Sequence, residues 1–153
     1  MSTETDKRTY TIREAAELTG LPASTLRYYE SIGVIEPIGR GATSKHRVYD
    51  EADLDQLTWV ACLNATGMSV RDMKQYVANG SLGPARAAEQ VKLLTAQDEH
   101  LAREAERIAV RRRHVQLKID YWRALGTGDD ARAELLAGEA RSLADELKPA
   151  KTR

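Results

Sequence analysis

The sequence predicts a mainly α-helical protein in which two short helices and a basic hairpin precede one long coiled-coil helix and a short C-terminal helix. Three observations predict it. Two helical patterns, Ile12 to Thr19 and Pro22 to Glu30, meet across the turn Gly20-Leu21-Pro22. A segment rich in glycine, hydroxyls and bases follows, Arg40-Gly41-Ala42-Thr43-Ser44-Lys45-His46-Arg47. Finally, residues 85–122 contain no glycine or proline and repeat apolar residues at heptad spacing.

In the first pair, Ala15, Ala16 and Leu18 mark the leading helix, and Leu26 and Tyr29 can turn inward on the second. Ser24, Thr25, Arg27 and Tyr28 then face outward. Hydroxyls, a guanidinium and a phenol on one helix face suit contacts to phosphates and base edges. Gly33-Val34-Ile35-Glu36-Pro37 ends that helix, and the basic segment closing on Val48 and Tyr49 reads as a hairpin wing. The expected product is a winged helix-turn-helix. A helix pair around a glycine also occurs in many domains that bind no DNA, so the motif alone leaves both readings open.

Tyr10-Thr11-Ile12, followed by Leu26-Arg27-Tyr28-Tyr29-Glu30, Gly33, Pro37, Arg40 and Arg47-x-Tyr49, resembles the N-terminal domain of the MerR family of bacterial transcription regulators. With the long helix, the resemblance covers residues 9 to about 123. Pro22 departs from it, because many relatives carry a capping serine there; proline remains compatible with a first helical turn. The residues expected against DNA are Thr11, Ser24, Thr25, Arg27, Tyr28, Tyr29, Arg40, Lys45, His46, Arg47 and Tyr49.

After the wing, Asp50 caps a helix with Asp53 at its third position, and Leu54, Leu57, Val60, Ala61 and Leu63 carry the pattern to about Thr66. Gly67 breaks it. Ser69-Val70-Arg71-Asp72 has the form of a capping box opening a further helix through Met73, Tyr76 and Val77. This second helix pair resembles the family's second wing, with Arg71 and Lys74 as candidate phosphate contacts and solvation as their ordinary alternative. The expected division is a loose arm at 1–8, the DNA-binding domain at 9–78, a linker at 79–84, the dimerisation helix at 85–124 and a helix with its tail at 125–153.

Leu94, Leu101, Ile108, Val115 and Trp122 recur every seven residues, with Val91, Ala105 and Ile119 on the companion position. Such a helix extends about 55 Å at about 1.5 Å per residue, beyond what so small a domain covers. A second subunit is the expected cover. Asp98 and Arg112 interrupt the seam at equal distances from Ala105, which suits an antiparallel pair; the resemblance implies the same orientation. Gly126-Thr127-Gly128 ends the helix, and Leu135, Leu136, Leu143 and Leu147 form a weaker amphipathic stretch that either folds back or stays free.

The chain has 153 residues, 42% of them hydrophobic, with 23 basic and 23 acidic side chains. Within residues 7–47, however, seven Lys or Arg face four acids. That is a local basic patch and not a polycation. There is no membrane-length apolar run and no signal peptide, and a single cysteine fits a cytoplasmic protein. No carboxylate pair, nucleophile with a base, or glycine loop for phosphates suggests an enzyme or a cofactor.

No metal site is expected. The cysteines that metal-sensing relatives carry at the start of the dimer helix and after it are missing, and His100 and His114 lie too far apart for one ion. Cys62 remains, either a small buried hydrophobe or an effector-sensing thiol. A subgroup of the family responding to aldehydes and nitrosothiols has its single cysteine here, before a turn like Gly67-Met68-Ser69. Arg40 or Arg47 would lower the thiol pKa if near it.

The resemblance implies a homodimer on a near-palindromic operator that bends and untwists a promoter for RNA polymerase when a signal arrives. The alternatives are a small ligand held between the DNA-binding domain and the dimer helix, near Trp59, Tyr76, Tyr121 and Trp122, and a constitutive DNA-bending protein.

Overall fold

The computed structural model describes residues 7–148, so most of the expected N-terminal arm and the last five residues of the tail lie outside the described residues. Helix α1 (Ile12–Thr19) opens on a reciprocal capping box: the Glu14 amide donates to Thr11 Oγ1 at 3.2 Å and the Thr11 amide to Glu14 Oε1 at 3.1 Å. Gly20 ends it at φ 73°, in the left-handed region where glycine carries no Cβ penalty. Helix α2 (Ala23–Ser31) then starts at Pro22 with no side-chain cap, as the missing serine implies.

Strands β1 (Gly39–Arg40) and β2 (Arg47–Val48) pair antiparallel, Gly39 opposite Val48 and Arg40 opposite Arg47. Tyr10 extends this hairpin by exchanging backbone hydrogen bonds with Tyr49 at 2.8 and 2.9 Å, which ties the segment before α1 to the wing. Helix α3 (Glu51–Ala65) has the Asp50–Asp53 capping box in full. Helix α4 (Val70–Ser81) has half of its expected box, since the Ser69 hydroxyl accepts from the Asp72 amide without a reciprocal bond. Leu26, Tyr29, Val34, Tyr49, Leu57, Val60 and Met73 are the centre of the core that these elements share.

The expected linker 79–84 is ordered: the last turn of α4 runs through Leu82 into a 3-10 turn, Gly83–Arg86. Asn79, 5% exposed, explains why. Its side chain accepts from Gln75 Nε2 at 2.8 Å and donates to Gln90 Oε1 at 3.1 Å, while Gln90 Nε2 donates to the Tyr76 carbonyl at 2.9 Å. A buried amide with its partners filled fixes the connection that the sequence marks as a linker.

Helix α5 (Ala87–Gly126) is 40 residues long, and α6 (Asp130–Leu147) follows a turn at Gly128. The chain divides within α5 into two compact units, one up to Gln97 and one from Asp98. In the second, α6 folds back on α5: Leu117, Ala124, Ala133 and Leu136 are buried together, and Arg113 pairs with Glu139 at 3.2 Å. No described helix is long and apolar enough to cross a membrane.

Candidate nucleic-acid interface

Helix α2 presents two chemically distinct faces. Leu26 and Tyr29 are 0% and 3% exposed, whereas Ser24, Arg27 and Tyr28 are exposed and Thr25 is half-buried between the two sets. Because Pro22 supplies no side-chain acceptor, the leading amides of α2 stay free of a cap at the end where the helix dipole favours an anion. Thr11 is also exposed, at the N-terminus of α1, but its hydroxyl is already the acceptor of the capping box.

Glu30, in the last turn of α2, holds the wing. One carboxylate oxygen accepts the Ile38 amide at 3.0 Å just ahead of β1, and the other accepts Arg47 Nε at 2.5 Å on β2. The side chains of Arg47 and Glu30 are only 21% and 13% exposed. Burial alone would raise the Glu30 pKa. The hydrogen bonds from Arg47 and the Ile38 amide and the charges of Arg47 and Arg40 outweigh it, and the net shift is downward.

Two residues expected against DNA are therefore corrected, and a third gains a second role. Tyr29 is a core side chain whose hydroxyl donates to Asn64 Oδ1 at 3.3 Å. Tyr49 is fully buried, with a hydroxyl that has no hydrogen-bond partner and a pKa raised by that burial. Arg47 joins wing to helix through a partly buried ion pair made by its Nε alone, so it has a structural role at the wing as well as the expected place beside DNA.

At the wing tip Arg40, Lys45 and His46 are exposed, and Arg40 Nη1 donates to the Lys45 carbonyl at 3.3 Å. Lys45 takes the left-handed conformation at φ 60°, which swings the chain back after Gly41. A Cβ on Gly41 would sit 2.5 Å from Ser44 Oγ, so a larger residue there would push the serine hydroxyl aside. Arg71 and Lys74, in the first turns of α4, are exposed as well. Glu30, Asn64 and Asn79 went unassigned in the sequence because each acts through a partner brought close only by folding.

Cys62 is exposed on the outer face of α3, in line with Trp59, and so is not the buried hydrophobe its residue type suggests. Arg40 donates to the Lys45 carbonyl and Arg47 to Glu30. The four aromatics considered for a ligand space divide between two cavities: Trp59 and Tyr76 line one, Tyr121 and Trp122 another. His114 lines the second as well, with its Nδ1 shielded from solvent. Among the described residues no three His, Cys, Asp or Glu side chains converge as a metal site.

On α5, Val91, Leu94, Leu101, Ile108, Val115, Ile119 and Trp122 are all exposed in the single chain, between 38% and 68%, and Ala105 lies exposed among them. So extended an exposed apolar stripe has the character of an interaction face.

A family model described as MerR HTH family regulatory protein matches residues 10–80. A probable heavy metal-dependent transcriptional regulator of Haemophilus influenzae is 35% identical over 119 residues, 78% of this chain and 89% of that protein. The uncharacterised HTH-type transcriptional regulator YyaN of Bacillus subtilis is 30% identical over 112 residues, 70% of this chain and 80% of that one. Among solved structures, HiNmlR, a MerR family regulator lacking the sensor domain and bound to promoter DNA, superposes with a TM-score of 0.65 at 26% identity, covering 84% of this chain and 96% of that one.

Proposed function

The chain belongs to the MerR family and is a DNA-binding transcriptional regulator; from that premise we propose that it works as a homodimer that distorts a promoter when Cys62 reacts with an electrophile. The observation that carries the DNA side of this reading is the outward face of α2, where Arg27, Tyr28 and Ser24 stand free beside a wing held in place by Glu30. Helix α2 enters the major groove, and Arg40, Lys45 and His46 meet the backbone. A two-fold dimer matches a near-palindromic operator, and RNA polymerase is the partner that reads the resulting DNA shape. Bending and untwisting a site costs on the order of 1–6 kcal/mol, so a signal has only to shift an equilibrium between two DNA shapes.

The Cys62 thiol is accessible, and no other cysteine competes with it. With an aldehyde, the thiolate sulfur forms a C–S bond to the carbonyl carbon, and the C=O π pair moves to oxygen, which takes up a proton. A nitrosothiol instead passes its nitroso group to Cys62 and leaves as the free thiol. That HiNmlR is described as lacking a sensor domain and bound to promoter DNA supports promoter binding by a chain of this extent.

The test is intact-mass spectrometry after exposure to formaldehyde, methylglyoxal or a nitrosothiol, beside Cys62→Ser, with promoter transcription followed in parallel. Modification confined to Cys62 that coincides with a transcriptional change is the expected result. A normal response from the serine variant would remove Cys62 as the sensor, and a protein that bends DNA identically under every condition would be a constitutive architectural factor.

A further inference from the structure

The hairpin of α5 and α6 forms a half-open cavity of about 390 Å3, within the range of small-molecule sites. Its walls are apolar and partly aromatic: Leu117 and Leu136 are buried at its base, Ala140 leaves room on the α6 side, and Tyr121 and Trp122 meet edge to face with centroids 5.6 Å apart. Leu117, Tyr121 and Trp122 descend from α5, so one continuous helix sets the aromatic wall.

Three nitrogen-bearing side chains reach the same space, His114, Lys118 and Arg141. Neither Lys118 nor Arg141 belongs to an ion pair among the described residues. The nearby acids are engaged elsewhere, Glu139 with Arg113 and Asp120 with Arg123. The site thus combines an apolar aromatic wall with unpaired positive charge from Lys118 and Arg141.

We propose that this cavity binds a small amphipathic carboxylate, such as an arylalkanoic acid. Its ring lies against Tyr121 and Leu117 beside Trp122, and its carboxylate pairs with Lys118 and Arg141. A cation is repelled by the same groups. A bare inorganic anion leaves the apolar wall unused and loses hydration for no return. This assignment stands on the second unit alone and does not depend on how the protein binds DNA or on Cys62.

Full-length protein carrying Trp59→Phe leaves Trp122 as the reporting fluorophore. Titration with phenylacetate, its uncharged analogue phenylacetamide and the cation phenethylamine then reads both the wall and the charge. The expected result is saturable binding of phenylacetate, about tenfold weaker binding of the amide (~1.4 kcal/mol) and none of the amine. Lys118→Gln with Arg141→Gln, both exposed positions, removes the preference for the acid while helicity and amide binding persist. Equal affinity for acid and amide, undiminished phenylacetate binding by the double variant, or no saturable binding at all would overturn the proposal.

Discussion

Arg27 and Arg47 both lie in the basic patch, yet their surroundings give them different work. Arg27 is exposed on the outward face of α2, so Arg27→Ala should cost about 1–3 kcal/mol of operator binding and change which operator is preferred. Binding across a panel of operators measures both effects; an unchanged order of preference would take Arg27 out of base readout. Arg47 acts through Glu30. Its loss should lower folding stability by about 1.5–3 kcal/mol, the range for a hydrogen bond to a charged group, and leave the salt dependence of DNA binding unchanged. A reduced salt slope would add a phosphate contact to that role. Tyr49 tests burial from the other side, because its hydroxyl has no partner to lose. Tyr49→Phe should be neutral or slightly stabilising in thermal unfolding and silent in DNA binding. A loss of affinity would show that this hydroxyl reaches DNA.

The element most dependent on one side chain is the wing, whose two strands contribute only two residue pairs. Glu30 supplies what so short a hairpin lacks by bonding to a group beside each strand. Its pKa is held below the ordinary value of 4.5, so the unfolded chain binds the proton more readily than the folded one. The stabilisation is therefore complete above the ordinary carboxylate range and is lost as pH falls through the lowered folded value. Glu30→Gln should reduce the melting temperature at neutral pH, and its difference from the parent protein should shrink towards zero in acid. A difference independent of pH would mean that the carboxylate charge is not what secures the wing. The elements themselves were legible where their signals are local. Asp50 and Ser69 announced helix starts, Gly20 and Gly128 announced ends, and the glycine and hydroxyls of 40–47 announced the wing, whereas Thr11, expected only against DNA, proved to be the cap of α1. What bridges elements was not legible. Glu30 and Arg47 lie 17 residues apart, and Asn79 and Gln90 lie 11 apart, so neither pair follows from helix or turn periodicity. The fate of α6 was open for a related reason: a weak leucine pattern does not reveal its partner, and Leu135 remains 71% exposed while Leu136 is buried.

For the whole molecule the governing fact is the apolar stripe on α5, exposed in one chain and spaced to meet another such helix. Heptad spacing made the stripe legible, but orientation is written in its two polar interruptions. Asp98 and Arg112 each lie seven residues from Ala105, and both are exposed. If two copies run antiparallel with their midpoint at Ala105, Asp98 approaches the partner subunit's Arg112, and two-fold symmetry makes that pair twice. Asp98→Arg then sets arginine against arginine at both places, and Arg112→Asp sets aspartate against aspartate. Each single change should weaken the dimer about tenfold or more, roughly 1.4 kcal/mol, measured by sedimentation equilibrium. The double exchange restores opposite charges and should recover most of the loss. A parallel pair predicts something else. There Asp98 would already face its own copy, and Arg112 likewise, so each single change would only replace one like-charge pair with another and leave dimer stability nearly unaltered. Weak singles would therefore reject the antiparallel register, while damaging singles rescued by the double would establish both orientation and midpoint.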